Sequence, residues 1–220
     1  YLASFDNAGT NVFREEWLKY GTEPKQGSWY MACDLAGFEA VGQDASKSKK
    51  RLDMSAFAIV KVTDEGKWFV RKIEYGRWDV RETAVRILKN IREFRPVMIG
   101  IEKGTTMNAV LPYLSDLMRK NNVFSHIIPL SHGNQNKNDR IVWALQGMFE
   151  HGRITLNEEG ANYNKSWQQE FVDEYLMFPT KNVHDDLIDA LADIAQMAIT
   201  NYRGEENEEE YEPLDIISGI

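Results

Sequence analysis

The chain has 220 residues, 43% of them hydrophobic and 27% charged, the composition of a folded protein with one sizeable core. No apolar run approaches the roughly 18 residues of a membrane span, and no basic-then-apolar start marks a signal peptide. The single cysteine, Cys33, excludes an internal disulfide framework and a cysteine-based zinc site. A net charge of -8 argues against a polyanionic partner only until it is located. Seven of the 34 acids fall beyond Arg203, where no Lys or Arg follows, so residues 1–203 are close to neutral. Further acids tied up with cations would leave the remaining surface effectively basic.

In chain order, residues 1–27 are polar and interrupted by Gly9, Gly21, Pro24 and Gly27, with one short amphipathic piece. That piece, residues 12–20, has helical spacing with Phe13, Trp17 and Leu18 on one side. Residues 28–37 (Ser-Trp-Tyr-Met-Ala-Cys-Asp-Leu-Ala-Gly) read as a buried strand that stops at Asp34. A polar stretch with Lys47, Lys49, Lys50 and Arg51 follows. Residues 55–63 and 67–75 then form a predicted hairpin around Asp64-Glu65-Gly66. Residues 79–94 carry Val80, Ala84, Ile87, Leu88 and Ile91 at helical spacing, and Pro96 stops the helix.

Residues 97–102 (Val-Met-Ile-Gly-Ile-Glu) are a second apolar strand ending on an acid, reached through a helical crossover and therefore parallel to a neighbour. With the first strand as that neighbour, Asp34 and Glu102 stand at the same end of strands about 4.8 Å apart. A helix at 106–121, a strand at 126–130, a helix at 138–151, an extended piece at 153–156 and a helix at 166–176 follow. The last helix spans 184–199, and the acid-rich residues 204–220 are expected to be a mobile tail.

In that last helix Asp186, Asp189 and Asp193 recur at i, i+3 and i+7, beside a buried face of Leu187, Ile188, Leu191, Ile194, Ala195 and Ala198. Each acid has an ordinary reading: Asp185 and Asp186 as helix caps, Asp189 and Asp193 as solvated, Asp34 and Glu102 as strand-end polar residues. Their combination is more specific. Carboxylates crowded within a few ångströms must take up protons or bind cations. Oxygen ligands without Cys or paired His suit magnesium or manganese, and two such ions can drive phosphodiester hydrolysis.

The order of elements, with acids on the first and fourth strands and the last helix, resembles the ribonuclease H-like fold. That implies a mixed α/β sheet of five or slightly more strands, order 3-2-1-4-5, flanked by helices. Asp34-Leu-Ala-Gly, Ile-Gly-Ile-Glu102 and His184-Asp-Asp-Leu-Ile-Asp-Ala-Leu-Ala resemble the nuclease domain of the tailed-bacteriophage terminase large subunit, over residues 28–200. Lys-Asn-Asp-Arg-Ile at 137–141 and Gly-Arg-Ile at 152–154 resemble that family's Lys-x-x-Arg-Ile helix and the strand after it.

The resemblance implies a metal-binding triad of Asp34, Glu102 and Asp186, with Asp189 in support and Asp185 as the alternative to Asp186. It implies two divalent ions, magnesium or manganese, and cutting of concatemeric double-stranded DNA with little sequence preference. It also implies a nuclease domain at 28–203, a connector at 1–27 from an N-terminal ATPase domain, a small terminase subunit and a portal as partners, and action in the host cytoplasm. No Gly-x-x-x-x-Gly-Lys-Ser/Thr phosphate loop occurs, so no ATPase activity is expected of this chain. The domain is expected to be monomeric and to have no membrane partner.

Lys137, Arg140, Arg153, Lys49, Lys50 and Arg51 are candidate phosphate contacts, and Lys103 could meet a scissile phosphate. His184 reads as a residue at the helix start or a partner of a metal ligand. His126, His132 and His151 show no ligand spacing, and Trp29, Trp68, Trp78, Trp143 and Trp167 are expected to pack. Competing readings are a junction resolvase or transposase on the same fold, a sugar-kinase or actin-like nucleotide binder, and a catalytically silent module docking a motor to a portal. The nucleotide binder would need more glycine-rich phosphate turns than Asp34-Leu-Ala-Gly.

Overall fold

The computed structural model describes residues 12–37, 54–133, 135–159, 166–180 and 184–198. Seven strands make one sheet: β1 (Tyr20–Gly21), β2 (Ser28–Asp34), β3 (Ser55–Val62), β4 (Trp68–Gly76), β5 (Met98–Glu102), β6 (Ile127–Leu130) and β7 (Ile154–Asn157). Their order is β1-β7-β4-β3-β2-β5-β6. The central five strands have the order expected from the sequence, and β7 and β1 extend the β4 edge. Pairing is antiparallel at β2/β3 and β3/β4 and parallel elsewhere.

β2 is central because its residues have no polar side to offer: Met31, Ala32 and Cys33 are at most 1% exposed. Helices α1 (Val80–Phe94) and α2 (Thr105–Asn121) cover one face of the sheet, packing on Met31, Cys33, Ile99 and Ile101. Helices α3 (Lys137–Glu150), α4 (Trp167–Met177) and α5 (Asp186–Ala198) cover the other, with Tyr30, Ala32, Ala56 and Ala58 beneath them. α1 starts at an Asp79 side chain that accepts from the Glu82 amide at 2.8 Å, and ends where Arg95 turns left-handed at φ 50°.

Small residues on the second face let α5 lie low on the sheet. A Cβ at Gly100 would stand 2.7 Å from a Leu130 methyl and 2.8 Å from the sulfur of Met197, so any larger residue there would make these side chains shift.

The N-terminal piece differs from its helical expectation. Only one 3-10 turn forms, Glu15–Trp17, and the chain then runs extended so that Tyr20 pairs with Leu156 of β7. A helix of this length is marginal on its own. The extended path gains ladder hydrogen bonds, including the Leu156 amide to the Lys19 carbonyl at 2.8 Å. It also drops Phe13, 1% exposed, onto Tyr175 with ring centroids 4.8 Å apart. Trp143, expected to pack, is 74% exposed on α3.

Candidate active site

Strand periodicity aims the first two acids. On β2, Tyr30 and Ala32 face α5 while Met31 and Cys33 face α1 and α2, so Asp34 falls on the α5 side. On β5, Gly100 faces α5 and Ile99 and Ile101 face away, so Glu102 falls on the same side. Cys33 pairs with Ile101 in parallel register, which sets Asp34 beside Glu102 at one end of the sheet. α5 buries Leu187, Ile188, Leu191 and Ile194, each 0% exposed, and its first turn reaches that same end. Asp34, Glu102, Asp185, Asp186 and Asp189 line one cleft of about 360 Å³ with His132, Gln135, Lys137 and Arg140.

The cleft wall is a chain of alternating charge. Lys137 Nζ donates to Asp185 at 2.8 Å and lies 3.0 Å from Asp189. The Arg140 guanidinium donates to Asp189 at 2.5 Å and to Asp193 at 2.6 Å. His132 Nε2 is 2.8 Å from Asp193, and its Nδ1 is 3.3 Å from Glu102. Asp186, 6% exposed, accepts the Met54 amide at 3.0 Å, with His184 Nδ1 3.4 Å away.

The electrostatics follow from these contacts. Hydrogen bonds from His132 to Asp193 and Glu102 pull the imidazole pKa up to about 9. The same His132 contact holds Glu102 below the usual carboxylate range. For Lys137, burial works against the charge, but Asp189 and Asp185 outweigh it and the amine is raised. Asp189 is raised by burial despite Lys137 and Arg140. Asp34 is raised well above the ordinary range, by burial first and then by Asp189.

Among the described residues no hydrogen-bond donor reaches the Asp34 carboxylate, and no three of the His, Cys, Asp and Glu side chains already form a cage for an ion. The donor chemistry nevertheless fits a hard divalent cation. All the acids offer oxygen, and burial with the neighbouring Asp189, Asp193 and Glu102 disfavours the Asp34 charge more than Lys137 offsets it, a balance that a cation would restore.

The structure brings Asp34, Glu102, Asp185, Asp186, Asp189, Lys137 and Arg140 together. Arg140 is only 10% exposed at its side chain and is turned to two carboxylates. Lys103 is exposed beside Glu102, outside the cleft wall, its amide bound to the Leu130 carbonyl at 2.8 Å. Arg153 is not brought to the site. It precedes Ile154, which aligns with Trp68, then Val62, then Ser28, the end of β2 opposite Asp34 and roughly 20 Å along the strand. Lys49, Lys50 and Arg51 lie outside the described residues, as does the 204–220 tail.

Two site residues were missed. His132 comes two residues after β6, whose Leu130 pairs with Glu102, so its only sequence signal is its place after a strand parallel to β5. Asp193 has a solvated reading in the sequence and is 1% exposed in the fold.

Residues 41–198 match the family model described as the terminase RNaseH-like domain. No curated sequence is significantly similar to the chain. Among solved structures, the large terminase nuclease from thermophilic phage G20c superposes with TM-score 0.52 at 13% identity, covering 87% of this chain and 98% of that one. The same nuclease with bound magnesium gives 0.55 at 13% identity, over 86% and 97%. A variant nuclease domain of the large terminase subunit of bacterial virus Sf6 with manganese gives 0.55 at 11% identity, over 84% and 99%. At these identities the likeness shows a shared fold. The sheet order and the match over residues 41–198 together establish that the chain belongs to the terminase RNaseH-like domain family.

Proposed function

We propose that this chain is the metal-dependent endonuclease of a viral DNA-packaging terminase, cutting concatemeric double-stranded DNA with little sequence preference through two divalent ions, magnesium or manganese. The observation that carries the reading is the convergence of acids from β2, β5 and α5 on one cleft. The metals in the G20c and Sf6 structures support the choice of ion. In this reading Asp34, Glu102 and Asp186 would hold the two ions, with Asp189 in support. Bound there, the ions would activate water and stabilise the leaving oxygen.

The protein's own groups prepare that cleft. His132 holds Glu102 ionised, and Arg140 ties Asp189 to Asp193. Lys137, whose side chain is 42% exposed, is free enough to exchange a carboxylate for a phosphate. ATP hydrolysis, the small terminase subunit, the portal and the host cytoplasm belong to the full assembly in this reading, with residues 1–27 leading from the ATPase domain and 28–203 forming the nuclease.

The test is nicking and linearisation of supercoiled plasmid with magnesium, manganese or chelator, beside Asp34→Asn and Asp186→Asn. Cutting that needs metal and is lost in both variants is the expected result. Absence of cutting with either ion, together with no calorimetric manganese binding, overturns the reading in favour of a silent docking module.

A further inference from the structure

Glu174 is a buried carboxylate that the cleft chemistry does not use. It lies on α4 and is 3% exposed. Its Oε2 accepts from two consecutive amides of α5, Leu187 at 2.8 Å and Ile188 at 3.1 Å, while Oε1 has no partner among the described residues.

A helix leaves its first amides without intrahelical partners, and the usual remedy is a side chain at the helix's own start. Asp185 and Asp186 are the residues placed to do this in α5. Their carboxylates are turned elsewhere, Asp185 to Lys137 and Asp186 to the Met54 amide. Glu174 supplies the cap from the neighbouring helix instead.

Its own helix is well anchored. Phe171 and Tyr175 are 0% exposed in the aromatic cluster, and the Tyr175 hydroxyl donates to the Arg14 carbonyl at 3.1 Å. Burial pushes the Glu174 carboxyl up to about 8 against the pull of the two amides, with Asp186 and Asp185 adding to the rise, so the three carboxyl groups share one electrostatic neighbourhood.

We infer that Glu174 is a positioning residue, which caps α5 from α4 and so sets the first turn of α5 and frees Asp185 and Asp186 to face the metal cleft. The inference rests on the metal reading of that cleft. Two bonds to consecutive amides fix both the rotation and the axial position of that turn, and outer partners of this kind tune how well ligands converge.

The experiment is calorimetric manganese titration of the wild-type chain, Glu174→Ala, Glu174→Asp, Glu174→Gln and Phe171→Leu, with amide exchange at Leu187 and Ile188 measured in chelator. Glu174→Ala is expected to weaken manganese binding about 10- to 100-fold and to speed exchange at the two amides. Glu174→Asp, one methylene too short to span both amides, shifts the same way and serves if the alanine variant does not fold. Glu174→Gln keeps an acceptor for both amides and restores binding close to wild type.

Phe171→Leu, which loosens the same helix, lowers the melting temperature and leaves manganese affinity unchanged. Undiminished affinity in Glu174→Ala, or equal losses in Phe171→Leu or Glu174→Gln, overturns the inference while the metal reading stands. No manganese binding by the wild-type chain overturns the metal reading and the inference with it.

Discussion

Arg140 and Asp193 form an ion pair with a 2.6 Å contact, from which water is nearly excluded: their side chains are 10% and 1% exposed. Asp193 is also bonded to His132, and Arg140 also donates to Asp189, so this pair is the middle of the charge chain along the cleft. Removing one partner of a buried pair leaves the other desolvated and alone, at a cost of about 3–5 kcal/mol. Arg140→Ala is therefore expected to lower unfolding free energy by about that amount in urea titrations with chelator present. A loss below about 1 kcal/mol would mean that Asp193 finds water or protonates instead.

His132 makes stability depend on pH in the metal-free chain. Its pKa is raised in the fold to about 9 from an unfolded value of about 6.5, so its stabilisation is complete below about 6.5 and is lost as pH rises through about 9. Glu174, pushed up to about 8, loses stability over an overlapping window. The difference between wild type and His132→Gln isolates the imidazole. That difference should shrink steadily from neutral to alkaline pH, and a flat difference would contradict the assignment.

The paired aspartates at the start of α5 should separate in kinetics. Asp186 is 6% exposed and held by the Met54 amide, whereas the Asp185 side chain is 33% exposed and paired with Lys137. Asp186→Asn is expected to reduce plasmid cutting by about 100-fold or more, and Asp185→Asn by about 10-fold or less. The reverse ranking in a time course at saturating manganese would exchange their roles.

Lys137 neutralises Asp185 and Asp189 at the mouth of the cleft. Its removal strengthens the negative field on a cation and deletes a phosphate contact. Lys137→Ala should bind manganese at least as tightly as wild type and cut DNA about tenfold more slowly, the loss of one charge-assisted hydrogen bond of ~1.5 kcal/mol. Weaker manganese binding in this variant would show that the lysine holds the aspartates in place.

The acids that end β2 and β5 were legible because a buried strand is a continuous apolar run, and the residue that breaks it stands out. The stripe of Asp186, Asp189 and Asp193 was legible because helical periodicity is local. Connection lengths and handedness gave the antiparallel early strands and the parallel crossover, and the resemblance to the ribonuclease H-like fold supplied the full strand order. β1 was not legible, since Tyr20 and Gly21 extend only to pair with β7, far along the chain.

The pattern of amino acids alone thus determined the central strands and helices and the acids that end or stripe them, but not the N-terminal turn and β1. Tertiary structure decided how their charges are balanced. His132 meets Asp193 across 61 residues of sequence, Arg140 meets the same acid across 53, and Met54 caps Asp186 across 132. Periodicity is a relation between chain neighbours. Compensation of a buried charge depends on distance through space, which exists only once the sheet has set α3, β6 and α5 side by side.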